Sequence, residues 1–243
     1  MSDQRFSNPY ASRGRPASPS ELGVRPDARL SSAFLSQAFL WMFIGLLVSA
    51  GVAYFVLQNE PLKAFAAGNF LILMIAQLGI VFGISLGINR MSATLALGLF
   101  FVYAASLGLT LGLIIGAYSG TAVVSAFVAS ATMFGAASVY GAVTKRSLAG
   151  LGGILFMGVI GLLVASVINI FLGSSGLSWI ISIAGVVIFT ALTAYDVQRI
   201  QNGDLAVRTG SMEKAAVIGA LQLYLDFVNI FLFMLRLFGG SRN

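Results

Sequence analysis

The chain contains no cysteine and no histidine among its 243 residues, and only 9% of its residues are charged. Without cysteine there is no disulfide, palmitoyl anchor or thiolate metal site, and without histidine every nucleophile–histidine mechanism is excluded. Soluble domains usually carry about 25% charged residues. Apolar residues make up 58% of this chain instead, and its mean hydropathy is +0.94. Because strand-like alternation is also absent, the composition predicts an α-helical membrane protein with several spans.

Seven segments are long enough to cross a bilayer, for which about 20 apolar residues suffice. They lie near residues 34–57, 69–88, 93–116, 120–143, 150–172, 178–198 and 215–238. The connections between them are mostly short, so successive helices are expected to be antiparallel neighbours. Residues 34–240 are therefore predicted to form one transmembrane domain, and the Pro/Ser/Arg-rich residues 1–33 a disordered cytoplasmic tail.

Glycine at every fourth position marks the second and third segments. The two stripes are Gly79, Gly83 and Gly87, followed by Gly108, Gly112 and Gly116. Small residues at this spacing let helix backbones approach closely in a membrane. Both stripes are predicted to pack inside a monomeric bundle, with homodimerisation as the alternative.

The formal net charge is +6, and the basic residues sit at segment ends rather than on one stripe. This pattern argues against nucleic-acid binding. It indicates instead how the protein is oriented in the membrane, because cytoplasmic loops are rich in Lys and Arg. With the N-terminus inside, only Lys63, Arg236 and Arg242 of the 14 basic residues face outward. The charges thus predict a multi-pass protein, embedded in a lipid bilayer, with a cytoplasmic N-terminus. The absence of cysteine and the compact loops favour the inner membrane of a bacterium.

The last segment combines the length of a membrane span with polar side chains. Positions three or four apart share one helix face, and this face carries Gly219, Gln222, Asp226, Asn229, Phe233 and Arg236. A charged side chain in mid-membrane costs at least a few kcal/mol unless it is paired or hydrated. The stripe therefore predicts a central helix around which the other six are wrapped.

Asp196 and Asp226 are the two acidic residues within the predicted spans. Asp196 shares a polar face of the sixth segment with Thr193, and Arg90 ends the second segment on the same side of the membrane. If the three charges meet, the carboxyl groups titrate as one unit, and an arginine that keeps its charge holds one of them. Their oxygens also suit Ca²⁺, which prefers carboxylate ligands. Gln222 and Asn229 are expected to hydrogen-bond between helices.

Several motifs together resemble the Bax inhibitor-1 family. They are the run from Leu223 to Leu232 with Leu235-Arg236-Leu237-Phe238-Gly239, the Tyr195-Asp196 pair with Gln198, and Phe101-Val102-Tyr103-Ala104-Ala105 with Gly108-Leu109-Thr110. The resemblance covers residues 34–240. It implies seven helices with six around the last, and a pH-sensitive Ca²⁺ leak. It also implies that Asp196 and Asp226 sense pH and that Arg90 latches onto one of them.

Two other functions stay open. A non-conducting regulator that binds a membrane protease or another membrane protein needs no titrating pair. An intramembrane aspartyl protease would use two aspartates as acid and base. The second aspartate of presenilin-like proteases follows a Gly-x-Gly motif, however, whereas Asp226 follows the bulky residues Leu223-Tyr224-Leu225. We expect no enzyme and no cofactor, with Ca²⁺ as a permeant ion.

The latch gives the first testable prediction. Replacing Arg90 by Ala removes the cation that holds the carboxylate, so ion leak through the reconstituted protein is expected to rise at neutral pH. The measurement is ion entry into liposomes, and an unchanged leak in Arg90→Ala would remove Arg90 from the gate.

Overall fold

The computed structural model describes residues 28–239, with side chains from residue 33 onward. Helices account for nearly all of this part of the chain, in the order α1 (Ala28–Gln58), α2 (Glu60–Gly68), α3 (Phe70–Gly87), α4 (Ala93–Gly116), α5 (Gly120–Val143), α6 (Gly152–Leu172), α7 (Ser175–Gln201), α8 (Asp204–Thr209) and α9 (Met212–Phe238). Seven of them, all except α2 and α8, are long and apolar enough to cross a membrane. The predicted fold class is confirmed: this is an all-α protein with seven candidate spans.

Serine side chains start four of the long helices. The hydroxyls of Ser92, Ser119, Ser174 and Ser211 accept the backbone N–H three residues later, at 3.2–3.4 Å, at the beginnings of α4, α5, α7 and α9. A side chain of this kind satisfies one of the N–H groups that a helix leaves unpaired at its first turn. The short polar linkers therefore both end one helix and begin the next.

Two short helices were not predicted from the apolar pattern. The segment at Glu60-Pro61 begins α2, because Asn59 caps it and proline is tolerated in a first turn. α8 lies between α7 and α9 and is bounded by Gly203 and Gly210, whose φ angles of 76° and 62° are ones that glycine adopts readily. α1 begins at Ala28, six residues before the predicted segment, and residues 1–27 of the predicted tail lie outside the described residues.

α9 is by far the most enclosed of the seven spans. In its most apolar window 67% of residues are buried, compared with 6–39% in the other spans. α1, α4, α5 and α7 pack directly on α9. By contrast, α3 packs mainly on α4, and α6 packs mainly on α7. The leucine side of α9 is covered as well as its polar side, since Leu221 and Leu235 are each only 1% exposed.

The glycines of α4 let α1 approach closely. A methyl group added to Gly108 would lie 2.7 Å from the Ser49 carbonyl oxygen and from Val52, and one on Gly112 would lie 2.7 Å from Val56. This part of the packing prediction is confirmed. It is wrong for Gly79 and Gly83 of α3, because no atom lies within 4 Å of a methyl group placed on either. Their stripe is exposed, because α3 meets α4 through another of its faces.

Gln77 makes that α3–α4 contact. Its side-chain amide donates to the Ser106 carbonyl at 2.9 Å and lies 3.4 Å from the Thr110 hydroxyl. The buried amide therefore joins the peripheral helix to the bundle at a position that the glycine pattern did not indicate.

The glycine contacts yield a stability prediction. Gly112→Leu is expected to lower the free energy of unfolding by about 1–3 kcal/mol, the usual cost of overpacking, because α1 and α4 must separate. Gly83→Leu is the matched control and should leave stability unchanged. Thermal unfolding of the detergent-solubilised protein measures both, and equal melting temperatures for the two variants would contradict the α1–α4 contact.

Candidate functional site

Asp196 on α7 and Asp226 on α9 are both buried, with 6% and 4% of their surfaces exposed. α9 begins at Met212, 14 residues before Asp226, and its course past the end of α7 brings Asp226 near Asp196. The two carboxyl groups are close enough to interact electrostatically. The structure therefore brings together the two acids that the sequence singled out.

Thr193 of α7 supplies a hydroxyl beside Asp226. The Thr193 hydroxyl donates to the Phe189 carbonyl at 2.8 Å and lies within hydrogen-bonding reach of Asp226. Oδ2 of Asp226 is buried without a hydrogen-bond partner. A buried polar atom left unpaired costs about 1–3 kcal/mol, and more when it is charged. The fold therefore keeps this acidic oxygen buried at a cost to stability.

Arg199 and Arg208 are the cations that act on Asp196. Arg199 lies three residues after Asp196 on α7, so the sequence spacing already placed it on the same helix face. Arg208 belongs to α8, which no sequence pattern predicted. Local desolvation and the like charge of Arg199 lower the pKa of Arg208, while Asp196 acts in the opposite direction. These two arginines were missed as neighbours of the pair.

Arg90 stands apart from the aspartates in this structure. It ends the 3-10 turn Ile88–Arg90 after α3, and its side chain is exposed. Within residues 33–239 no ion pair joins Arg90 to Asp196 or Asp226. Lys214 donates to the carbonyl of Asn89 at 3.5 Å, so the end of α3 nevertheless lies beside the beginning of α9. The latch stays a prediction, because the present arrangement holds Arg90 at the rim rather than on the pair.

The two amides on α9 do not connect helices as expected. Asn229 donates to the Leu225 carbonyl of its own helix at 2.8 Å. Oε1 of Gln222 is buried without a hydrogen-bond partner. Gln198 makes the connection that the other amides do not: it donates to the Arg146 carbonyl at 2.9 Å and accepts from the Leu148 N–H at 2.7 Å. Gln198 thereby fixes the loop between α5 and α6 against the end of α7.

A hydroxyl cluster joins α1, α4 and α9 two residues before Asp226. The Ser49 hydroxyl of α1 lies 2.7 Å from the Ala104 carbonyl of α4 and 2.5 Å from the Tyr224 hydroxyl of α9. Tyr224 is fully buried, and its ring meets the edge of Phe100 at 5.5 Å between centroids. This cluster holds the segment of α9 that carries Asp226.

At the opposite end of the bundle, α7 and α9 border a cavity of about 810 Å³. Its wall contains the serines Ser119, Ser175, Ser178 and Ser182, together with Tyr118, Trp179 and Arg236. Arg236 is exposed, and its guanidinium carbon lies 5.8 Å from the centre of the Phe233 ring. We call this region the polar cavity and the other end of the bundle the α8 end.

The aspartate pair offers few ligands for a resident metal ion. Ca²⁺ normally takes six to eight oxygen ligands. In the described part of the chain, no group of three or more Asp, Glu, His or Cys side chains comes together. Asp196, Asp226 and the Thr193 hydroxyl therefore supply fewer oxygen ligands than Ca²⁺ normally takes.

Comparison with known proteins agrees with this architecture. The family model described as "Inhibitor of apoptosis-promoting Bax1" matches residues 31–243. The chain belongs to the Bax inhibitor-1 family. The inner membrane protein YbhL of Escherichia coli K12 is 42% identical over 225 residues, which cover 90% of this chain and 96% of YbhL. An uncharacterized protein of Deinococcus radiodurans is 47% identical over 211 residues, covering 86% of this chain and 91% of its own length.

Interaction between the two acids is testable in this family member. Asp196→Asn and Asp226→Asn are each expected to change how thermal stability varies across about pH 5–8, because each removes one partner of an interacting pair. The double variant should deviate from additivity by about 0.5–3 kcal/mol, the usual range for groups in contact.

Glu213→Gln is the control for this double-mutant cycle, since Glu213 is an exposed acid in the first turn of the same helix. It should leave the pH profile of stability unchanged. Additive effects of the two aspartate substitutions would show that the carboxyl groups act independently.

Proposed function

We propose that this multi-pass membrane protein of the Bax inhibitor-1 family is a pH-sensitive leak pathway for cations, with Ca²⁺ as the permeant ion. The observation that carries the proposal is the pair of interacting carboxyl groups of Asp196 and Asp226, buried between two spans with one oxygen unpaired. Acidic residues inside a membrane domain most often mark an ion or proton pathway. Carboxylate oxygens are also the ligands that a hard cation such as Ca²⁺ prefers.

Protons regulate the pathway through the same two groups. When a carboxyl group takes up a proton, it stops repelling its neighbour and loses its attraction for a nearby cation. The positive charges that act on Asp196 are Arg199 and Arg208, at the end of α7 and on α8. Protonation would therefore weaken the repulsion between the two carboxyl groups. It would also weaken the attraction between Asp196 and the two arginines at the α8 end. Nothing in this mechanism requires a chemical reaction, so we propose no enzymatic activity.

The proposed location is the inner membrane of a bacterium, as the name of the Escherichia coli relative states for that protein. We place the α8 end in the cytoplasm because it collects the basic side chains at helix ends. These are Arg90, Lys145, Arg146, Arg199, Arg208 and Lys214. The polar cavity then opens on the outer side, and the N-terminus is cytoplasmic.

A second candidate is a non-conducting regulator that binds a membrane protease or another membrane protein. One observation favours it: Gly79 and Gly83 form an exposed surface on α3 with no neighbouring atom within 4 Å of an added methyl group. Small residues spaced by four are the surfaces at which membrane helices associate. A second helix could pack there without rearranging the bundle.

Ion flux distinguishes the two functions. Purified protein in liposomes is expected to admit Ca²⁺ at a rate that changes severalfold across about pH 5–8. Two interacting carboxyl groups can change their protonation state in this range. Asp226→Asn should flatten this pH dependence, whereas Glu213→Gln, an exposed acid on the same helix, should retain it.

Several results would count against the leak. Folded wild-type protein that admits no Ca²⁺ above empty liposomes at any pH would favour the regulator, and loss of a co-purifying membrane protein in Gly83→Leu would then support it. A pH dependence that survives in the Asp196→Asn, Asp226→Asn double variant would remove the aspartates from the gate.

A further inference from the structure

We propose that Phe189 and Phe233 form an apolar constriction between the polar cavity and the aspartate pair. The inference rests on the proposed cation pathway, and it assigns to that pathway a barrier separate from the acids. The facing sides of α7 and α9 form three successive layers, from the cavity at one end to the aspartates near the other.

The first layer is polar and open to the cavity. Ser178, Ser182 and Arg236 line the cavity wall at the contact between α7 and α9. Ser182 is fully buried and donates to the Ser178 carbonyl at 2.8 Å, so the serine face continues from the cavity into the protein. Hydroxyl groups and a guanidinium give water good hydrogen-bonding partners at this level.

The second layer is aromatic. The rings of Phe189 and Phe233 lie 6.0 Å apart between centroids and are inclined by 32°, and each residue is 9% exposed. Gly185 makes room for this arrangement, because a methyl group on Gly185 would collide with the Phe233 ring. The Phe233 ring therefore rests directly against the backbone of α7 and fills the space between the two helices.

The third layer contains the acids, and equal spacing on both helices aligns the three layers. Ser182, Phe189 and Asp196 are each seven residues apart on α7, and Phe233 and Asp226 are seven residues apart on the antiparallel α9. Seven residues make about two helical turns, or roughly 10 Å. Each step of seven returns to nearly the same face, so the aromatic pair separates the serine layer from the carboxyl pair.

Two rings packed in this way exclude water from the space that they occupy. A cation moving from the cavity toward Asp226 would lose its hydration beside two aromatic rings that offer it no oxygen ligand, which is costly. Hydrophobic constrictions close membrane pathways by this effect, and they open when the apolar side chains separate. The aromatic pair would thus keep the path closed whatever the charge on the aspartates.

Accessibility of single cysteines tests the constriction without relying on ion flux. The chain has no cysteine of its own, so each introduced thiol is the only one present. A charged, membrane-impermeant thiol reagent is added from the side of the polar cavity. Ser178→Cys should react, while Thr193→Cys, beyond the aromatic pair, should be protected. Ser147→Cys, in the loop at the α8 end, must stay unlabelled and verifies that the vesicles are sealed and uniformly oriented.

Removing a ring should abolish the protection. In Thr193→Cys combined with Phe233→Ala, labelling from the cavity side is expected to become roughly tenfold faster, equivalent to about 1.4 kcal/mol of barrier. Phe233→Leu should give a smaller increase and serves if the alanine variant folds poorly. Phe227→Ala is the matched control, because Phe227 is an equally buried aromatic residue of α9 that packs on Phe134 of α5 at 5.5 Å.

Each outcome bears on the proposal. Protection of Thr193→Cys that is lost with Phe233→Ala and kept with Phe227→Ala would support the constriction. Free labelling without the ring substitution, or equal labelling with both alanine substitutions, would overturn it, as would protection that persists in Phe233→Ala. If labelling follows the expected pattern but no variant conducts Ca²⁺, the constriction stands and the leak function fails.

Discussion

Two carboxyl groups buried against each other between α7 and α9 set the condition that the rest of the structure must meet. Acids in the hydrocarbon region are tolerated only when protein or water surrounds them. Asp226 therefore requires that α9 be enclosed on every side, and α9 is the most buried of the seven spans. α1, α4, α5 and α7 form that enclosure, while α3 and α6 lie outside it.

The enclosure is maintained by close backbone contact rather than by charge. Gly108 and Gly112 bring α4 against α1, and the Ser49 hydroxyl connects both helices to Tyr224 of α9. Lipid offers apolar side chains as good a surface as another helix does, so tight packing and buried hydrogen bonds must supply the attraction. Asp226 lies two residues from Tyr224, so the position of the acid depends on these contacts.

The interface between α7 and α9 contains three kinds of surface. A serine-lined cavity, an aromatic layer and a carboxyl pair follow one another along a single line of contact. In the proposed pathway, the carboxyl pair and the aromatic layer would be different kinds of barrier. The carboxyl pair would respond to protons and cations, and the aromatic layer would respond to movement of the helices. A pathway with both would conduct only when the charge state and the packing change together.

The sequence alone determined the membrane class, the seven spans within a few residues, and the two acids, because hydropathy and the cost of buried charge act locally along the chain. Arg199 was missed, although it lies three residues after Asp196 on the same helix face. The neighbours of the pair depended on tertiary structure: Arg208 reaches it through α8, a helix too short to show periodicity, and Arg90 lies at the rim. The exposed stripe of Gly79 and Gly83 was likewise decided by packing, since identical glycine spacing serves contact on α4 and exposure on α3. Spacing specifies which residues share a face, and only the assembled bundle specifies what that face meets.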